Sequence, residues 1–81
     1  MLDVIFFGSL RERVGCDRIQ FEIDQPMTVQ AVIDTLLAQS EQWQPLVNRR
    51  MLCAVNQEVA NFNAQVCPGD ELALFPPVTG G

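Results

Sequence analysis

The sequence predicts an α+β domain in which one amphipathic helix lies across one β-sheet. Three observations carry this. Residues Arg18-Ile19-Gln20-Phe21-Glu22-Ile23-Asp24 alternate polar and apolar without a fault, the pattern of a strand with one buried face. Val29, Val32, Ile33, Leu36 and Leu37 recur at the i, i+3, i+4, i+7, i+8 spacing of a helix with a single apolar stripe. Glu71-Leu72-Ala73-Leu74-Phe75 is a short apolar-rich run cut off by Pro76 and Pro77, which donate no backbone N–H and so end a strand.

The elements follow in order. Leu2-Asp3-Val4-Ile5-Phe6-Phe7 is rich in β-formers and reads as the first strand, with Leu2, Val4 and Phe6 on one face and Asp3, Ile5 and Phe7 on the other. Gly8 ends it. Ser9 is placed as the N-cap of a short helical turn that stops at Gly15. The alternating strand 18–24 turns Ile19, Phe21 and Ile23 into the core. Gln25-Pro26 marks a turn, and Thr28 caps the main helix, which runs to about Gln39. A second short turn is expected from Ser40 to Trp43, before Pro45, with Trp43 covering the edge of a small core. Met51–Val55 reads as a buried strand, Asn56-Gln57-Glu58 as a turn, and Val59-Ala60 as a short strand. Pro68-Gly69 fits a turn before the last strand. Residues 1–75 are thus one folded domain and 76–81 a projecting tail.

Strand parity gives a functional clue. If Leu72 and Leu74 face the helix, then Ala73 and Phe75 face outward with Glu71; the same logic puts Phe7 outward with Asp3. Two phenylalanines on the solvent side of a small sheet make an apolar patch of the kind that marks protein–protein contact.

The tail is Pro76-Pro77-Val78-Thr79-Gly80-Gly81. Paired glycines without Cβ atoms form the thinnest possible chain, and the prolines make a stiff, extended lead-in. Six extended residues reach about 20 Å. On the residues alone this is either a frayed end or a probe that carries the Gly81 carboxylate into a partner's slot.

Composition narrows the function classes. Ten acidic residues against five arginines, with no lysine and no histidine, give a net charge of −5. Phosphate recognition needs clustered cations, so nucleic acid is not an expected partner. Without histidine, His-based metal binding and His general-base catalysis are excluded. Cys16, Cys53 and Cys67 are odd in number and widely spaced, which fits neither a disulfide framework nor a metal-ligand set. No apolar run is long enough to span a bilayer, and no signal-peptide pattern opens the chain. The reading is cytoplasmic, with no membrane partner. No nucleophile–base pair or phosphate-cradling loop is present, so an autonomous active site is not expected.

Taken together, the residues resemble the ubiquitin-like β-grasp sulfur carriers, most closely the molybdopterin synthase small-subunit family. The resemblance spans the whole chain and is most specific at Gly69-Asp70-Glu71-Leu72-Ala73-Leu74-Phe75-Pro76-Pro77-Val78-Thr79-Gly80-Gly81, with Val4-x-Phe6-Phe7, Leu10-Arg11-Glu12, Gly15 and Ala54-Val55-Asn56 also similar. It implies one mixed sheet, a main helix on one face and a flexible C-terminal tail. It also implies a sulfur carrier in molybdenum cofactor biosynthesis. An ATP-dependent activating enzyme would adenylate Gly81, a persulfide donor would convert it to a thiocarboxylate, and the sulfur would pass to cyclic pyranopterin monophosphate in the large synthase subunit. By the same resemblance Gly80, Thr79 and Val78 thread the partner's active site, and Phe7, Phe75, Arg11 and Val59 bind the partner. No bound cofactor is implied; ATP is used by the activating partner.

Three other functions stay open at this level: a thiamine-pathway sulfur carrier, a ubiquitin-like modifier joined to target lysines, and an interaction module with no activated end.

Overall fold

The computed structural model describes residues 1–47 and 50–77. Its centre is a pair of parallel strands, both rich in apolar residues. In β1 (Leu2–Phe6) every second residue is buried, and in β7 (Glu71–Phe75) Leu72 and Leu74 are wholly covered. The two run side by side in parallel, Val4 beside Leu72 and Phe6 beside Leu74. β2 (Arg18–Phe21) joins the outer edge of β1, β4 (Leu52–Val55) joins β7, and β5 (Glu58–Ala60) joins β4, all antiparallel. The five-stranded sheet is therefore mixed, in the order β2-β1-β7-β4-β5. This is the β-grasp arrangement.

Helix α2 (Val29–Gln39) lies on one face and buries Val29, Val32, Ile33 and Leu36 against Leu2, Val4, Leu72 and Leu74. Thr28 caps it as expected: its Oγ1 accepts the N–H of Ala31 at 3.0 Å. Helix α1 (Ser9–Val14) ends at Gly15, whose φ of 86° is left-handed and whose N–H reaches back to the Arg11 carbonyl at 3.1 Å. Its start differs from expectation. Ser9 is the first helical residue and Gly8, at φ 59° and ψ −141°, occupies the cap position without a side-chain hydrogen bond. The preceding Gly8 supplies a backbone conformation closed to most residues, and the chain enters the helix one residue early.

Three further departures share a cause in local geometry. β2 stops at Phe21, although Ile23 is still buried, because the chain leaves the sheet edge ahead of Pro26. The segment after α2 is a 3-10 helix, Glu41–Val47, which contains Pro45; the expected turn continues past the proline. A small second sheet pairs β3 (Met27–Thr28) with β6 (Gln65–Val66), two residues each. Beside it the carbonyls of Ala64 and Phe62 accept the first free N–H groups of α2, from Val29 and Gln30, both at 2.9 Å. Two-residue strands are too short to show a period.

The core closes around Phe6, which stacks on Trp43 with ring centroids 5.6 Å apart. Trp43 is nearly buried, as the edge cover it was expected to be. Gln42 fixes the 3-10 helix to α1 by donating from Nε2 to the Val14 carbonyl at 2.7 Å.

Candidate functional site: the outer face of the sheet

The face of the sheet away from α2 is set by register. Ile5 lies beside Ala73, Ala73 opposite Ala54, Ala54 opposite Val59, and Leu52 opposite Phe75. Directly paired residues point to the same side, so these side chains form one continuous apolar surface. Phe7 completes it, held at the end of β1 by the hydrogen bond from its N–H to the Leu74 carbonyl at 3.0 Å. Its ring stacks on Phe75 at a centroid distance of 4.8 Å and an interplanar angle of 12°.

Ile5, Phe7, Ala54, Gln57, Val59, Glu71, Ala73 and Phe75 line a hollow of about 480 Å³. Val59 is 86% exposed and Phe7 42%, while Ala73 at its floor is covered by its neighbours. Apolar groups left this open on a small domain are held against the hydrophobic effect, at about 25 cal/mol per Å² of apolar surface. That surface becomes favourable when a partner covers it.

The hollow has a polarity. One end carries the two aromatic rings and leads directly into Pro76; the ring of Pro76 lies over the Cβ-less face of Gly8. The far end is acidic, with Asp3 beside Glu71 on adjacent strands and Gln20 hydrogen-bonded to the Asp3 carboxylate. The turn between β4 and β5 borders the hollow. Asn56 and Gln57 both have positive φ, 50° and 71°, the geometry of a two-residue type I′ hairpin loop. Asn56 is fixed there by donating to the Asp70 carboxylate at 3.1 Å and accepting the Glu71 N–H at 3.0 Å.

The residues expected at a partner surface thus divide. Phe7, Phe75 and Val59 come together around one hollow. Arg11 is exposed on α1 and is not among its lining residues. Val78, Thr79, Gly80 and Gly81, and with them the threading tail, lie outside the described residues. Sequence reading set Ile5 on the outer face without naming it as a site residue, and it missed Leu52 and Ala54. The signal was available in the parity of β4: with Cys53 and Val55 inward, Leu52 and Ala54 must face outward.

Among the described residues no group of three His, Cys, Asp or Glu side chains is arranged to hold a metal ion, and no helix is long and apolar enough to cross a membrane. The three cysteines are free. Burial raises the thiol pKa of Cys53, whose Sγ donates to the Ala60 carbonyl at 3.2 Å. Burial, and then the neighbouring Asp17 charge, raises that of Cys16. Neither is activated as a nucleophile.

Comparison with known proteins agrees with this geometry. The chain is 44% identical over 82 residues to the molybdopterin synthase sulfur carrier subunit of Escherichia coli (strain K12), covering all of both chains. Among solved structures, that of SAMP1 from Haloferax volcanii superposes with a TM-score of 0.80 at 29% identity, covering 99% of this chain and 98% of the other. A complex of subunits 1 and 2 of the molybdopterin-converting factor from Helicobacter pylori shares the fold, with a TM-score of 0.64 at 22% identity over 99% of this chain and 97% of that one. The model of the ThiS family matches residues 4–81, which takes in all but the first two residues of the sheet, the lining of the outer hollow and the Gly80-Gly81 pair. The chain therefore belongs to the ThiS family.

Proposed function

We propose that this chain is the sulfur-carrier subunit of a molybdopterin synthase. The observation that carries the reading is its 44% identity, end to end, with a protein of that name. The stacked Phe7–Phe75 pair beside Pro76 supports it, because a partly exposed apolar surface then lies where the tail begins, as docking would need.

The chemistry belongs to the Gly81 carboxylate. In an activating partner, a carboxylate oxygen attacks the α-phosphorus of ATP and pyrophosphate leaves, giving a mixed anhydride. A persulfide sulfur then attacks the carbonyl carbon and AMP leaves. Cleavage of the resulting S–S bond by a thiol leaves a thiocarboxylate on Gly81. In the large subunit this sulfur attacks a side-chain carbon of cyclic pyranopterin monophosphate and displaces an oxygen from it. Water then cleaves the resulting thioester, which leaves the sulfur on the pterin and restores the Gly81 carboxylate. Gly80, Thr79 and Val78 thread the slot, and the body stays outside, docked through Phe7, Phe75 and Val59. Arg11 contributes at the margin of this contact. The acidic end at Asp3 and Glu71 suits a partner surface with a basic rim. The cycle is cytoplasmic, and the chain supplies position and a reactive end, with no active site of its own.

A second reading has a specific observation behind it. The Haloferax relative named small archaeal modifier protein 1 is 30% identical over 86 residues, so conjugation to a target amine is an alternative fate of the same adenylate. One experiment separates the two. The intact mass is recorded after incubation with the activating enzyme, ATP and a persulfide donor, and the product is then mixed with the large subunit and the pterin precursor. Replacement of one oxygen by sulfur at Gly81, lost again on transfer, is the expected result. An unchanged free mass, with the chain recovered in covalent adducts on lysines, would establish the modifier instead.

A further inference from the structure

β2 is an edge strand, and its hydrogen-bonding pattern is fixed. The Phe6 N–H donates to the Asp17 carbonyl at 2.9 Å, so by antiparallel alternation Ile19 and Phe21 also spend their backbone groups on β1. The N–H and C=O groups of Arg18 and Gln20 therefore point away from the sheet, and among the described residues no strand lies beyond them. Beside this open edge, on the helix side, is a second hollow of about 580 Å³ between β2 and the end of α2. Half-buried Ile19, with Phe21, Leu36 and Trp43, supplies its apolar walls. Glu22 and Asp24 supply exposed carboxylates, and among the described residues no cationic side chain lines it.

We infer that this edge is a second docking surface, which takes an extended segment of a partner protein as a sixth strand. Three features select that occupant. The open row of donors and acceptors at Arg18 and Gln20 matches a strand and nothing else so well. The hollow accepts aliphatic side chains from alternate positions of such a strand, next to Ile19 and Trp43. The carboxylates of Glu22 and Asp24 call for a basic residue at the segment's end. A second copy of this chain is disfavoured, since self-association would bring together two bodies that each carry a net charge of −5. The surface lies across the sheet from the Phe7–Phe75 hollow, so a carrier docked through one remains open to binding at the other.

The probe is a capped pentapeptide, Lys-Val-Thr-Val-Lys, whose valines share one face and whose ends are basic in either strand direction. It is titrated into the full chain while backbone amide NMR signals are followed. The expected result is saturable shifts at Arg18, Gln20 and Glu22, with slowed exchange of the Gln20 amide. Gln20→Pro removes an N–H that faces solvent and is tolerated by an edge strand, and it should weaken binding about tenfold. The Glu22→Lys, Asp24→Lys double variant should weaken binding similarly and should prefer the charge-swapped Glu-Val-Thr-Val-Glu peptide. Shifts confined to Val59, Phe7 and Phe75, affinity untouched by both variants, no saturable binding at all, or dimerisation of the free chain through this edge would each overturn the proposal.

Discussion

Phe7 and Phe75 stack face to face at 4.8 Å, although Phe7 is the first residue beyond β1 and Phe75 the last of β7, followed by Gly8 in one case and Pro76 in the other. The pair is thus both the end of the parallel β1–β7 ladder and the start of the tail's lead-in. Its rings are only partly covered, so their contribution to folding can be measured apart from the docking role proposed for them.

Phe75→Ala should reduce affinity for the large synthase subunit by at least 2 kcal/mol, about a thirtyfold change, as removal of a central aromatic anchor does. The cost to folding should be about 1 kcal/mol, the worth of one exposed stack plus partial burial. Isothermal titration alongside a chemical melt checks both. A folding loss of about 3–5 kcal/mol, typical of a core phenylalanine, would mean that the ring belongs to the core.

Val59→Asp tests the same surface where stability is least involved. The side chain is 86% exposed, so the melt should move by no more than about 0.5 kcal/mol. Partner binding should fall steeply, because a carboxylate would be buried against an apolar contact without a counter-charge. Unchanged affinity in a pull-down with purified large subunit would remove Val59 from the interface.

Phe6→Ala gives the opposite pattern. Phe6 is buried and stacked on Trp43, and truncation should cost about 3–5 kcal/mol. In a domain this small, such a loss is comparable with its whole stability. Near-ultraviolet circular dichroism of Trp43 should collapse in the same transition as the amide signal.

Gln57→Gly should raise stability by about 0.5–1 kcal/mol. Gln57 holds a φ of 71°, which costs a side-chain-bearing residue about 1–2 kcal/mol, less the extra freedom glycine brings to the unfolded chain. Because Gln57 also lines the outer hollow, affinity for the large subunit should fall while the melting temperature rises.

Thiol reactivity should rank by cover. Cys67 is exposed and should alkylate first, and Cys53 only on unfolding. Burial raises the Cys53 pKa, so the folded chain keeps that proton after the unfolded chain has lost it. The stabilisation is present below the unfolded thiol's pKa and is lost as pH rises through the folded one. Iodoacetamide labelling followed by mass spectrometry, repeated across the alkaline range, checks the order and the trend.

Much of this was legible because the informative elements repeat. The stripe from Val29 to Leu37 and the parity of β1 and β7 are enough to locate the core, the helix and the outward-facing phenylalanines. What was not legible lacks a period. β3 and β6 are two residues each, and the left-handed pair Asn56-Gln57 carries no glycine to announce it. The edge hollow joins Glu22 to Gln39, a juxtaposition that only the packing of α2 against β2 creates. Ser9 misled because a good capping residue followed a glycine already able to make the turn.

The parallel pairing of β1 with β7 has a mechanical consequence. Met1 enters at one end of this ladder and Pro76 leaves at the other. Tension applied between them loads the hydrogen bonds from Asp3–Glu71 to Phe6–Leu74 lengthwise and together, in shear, and does not peel them apart one at a time. A tail drawn hard into a slot is therefore anchored in the part of the sheet best placed to resist the pull.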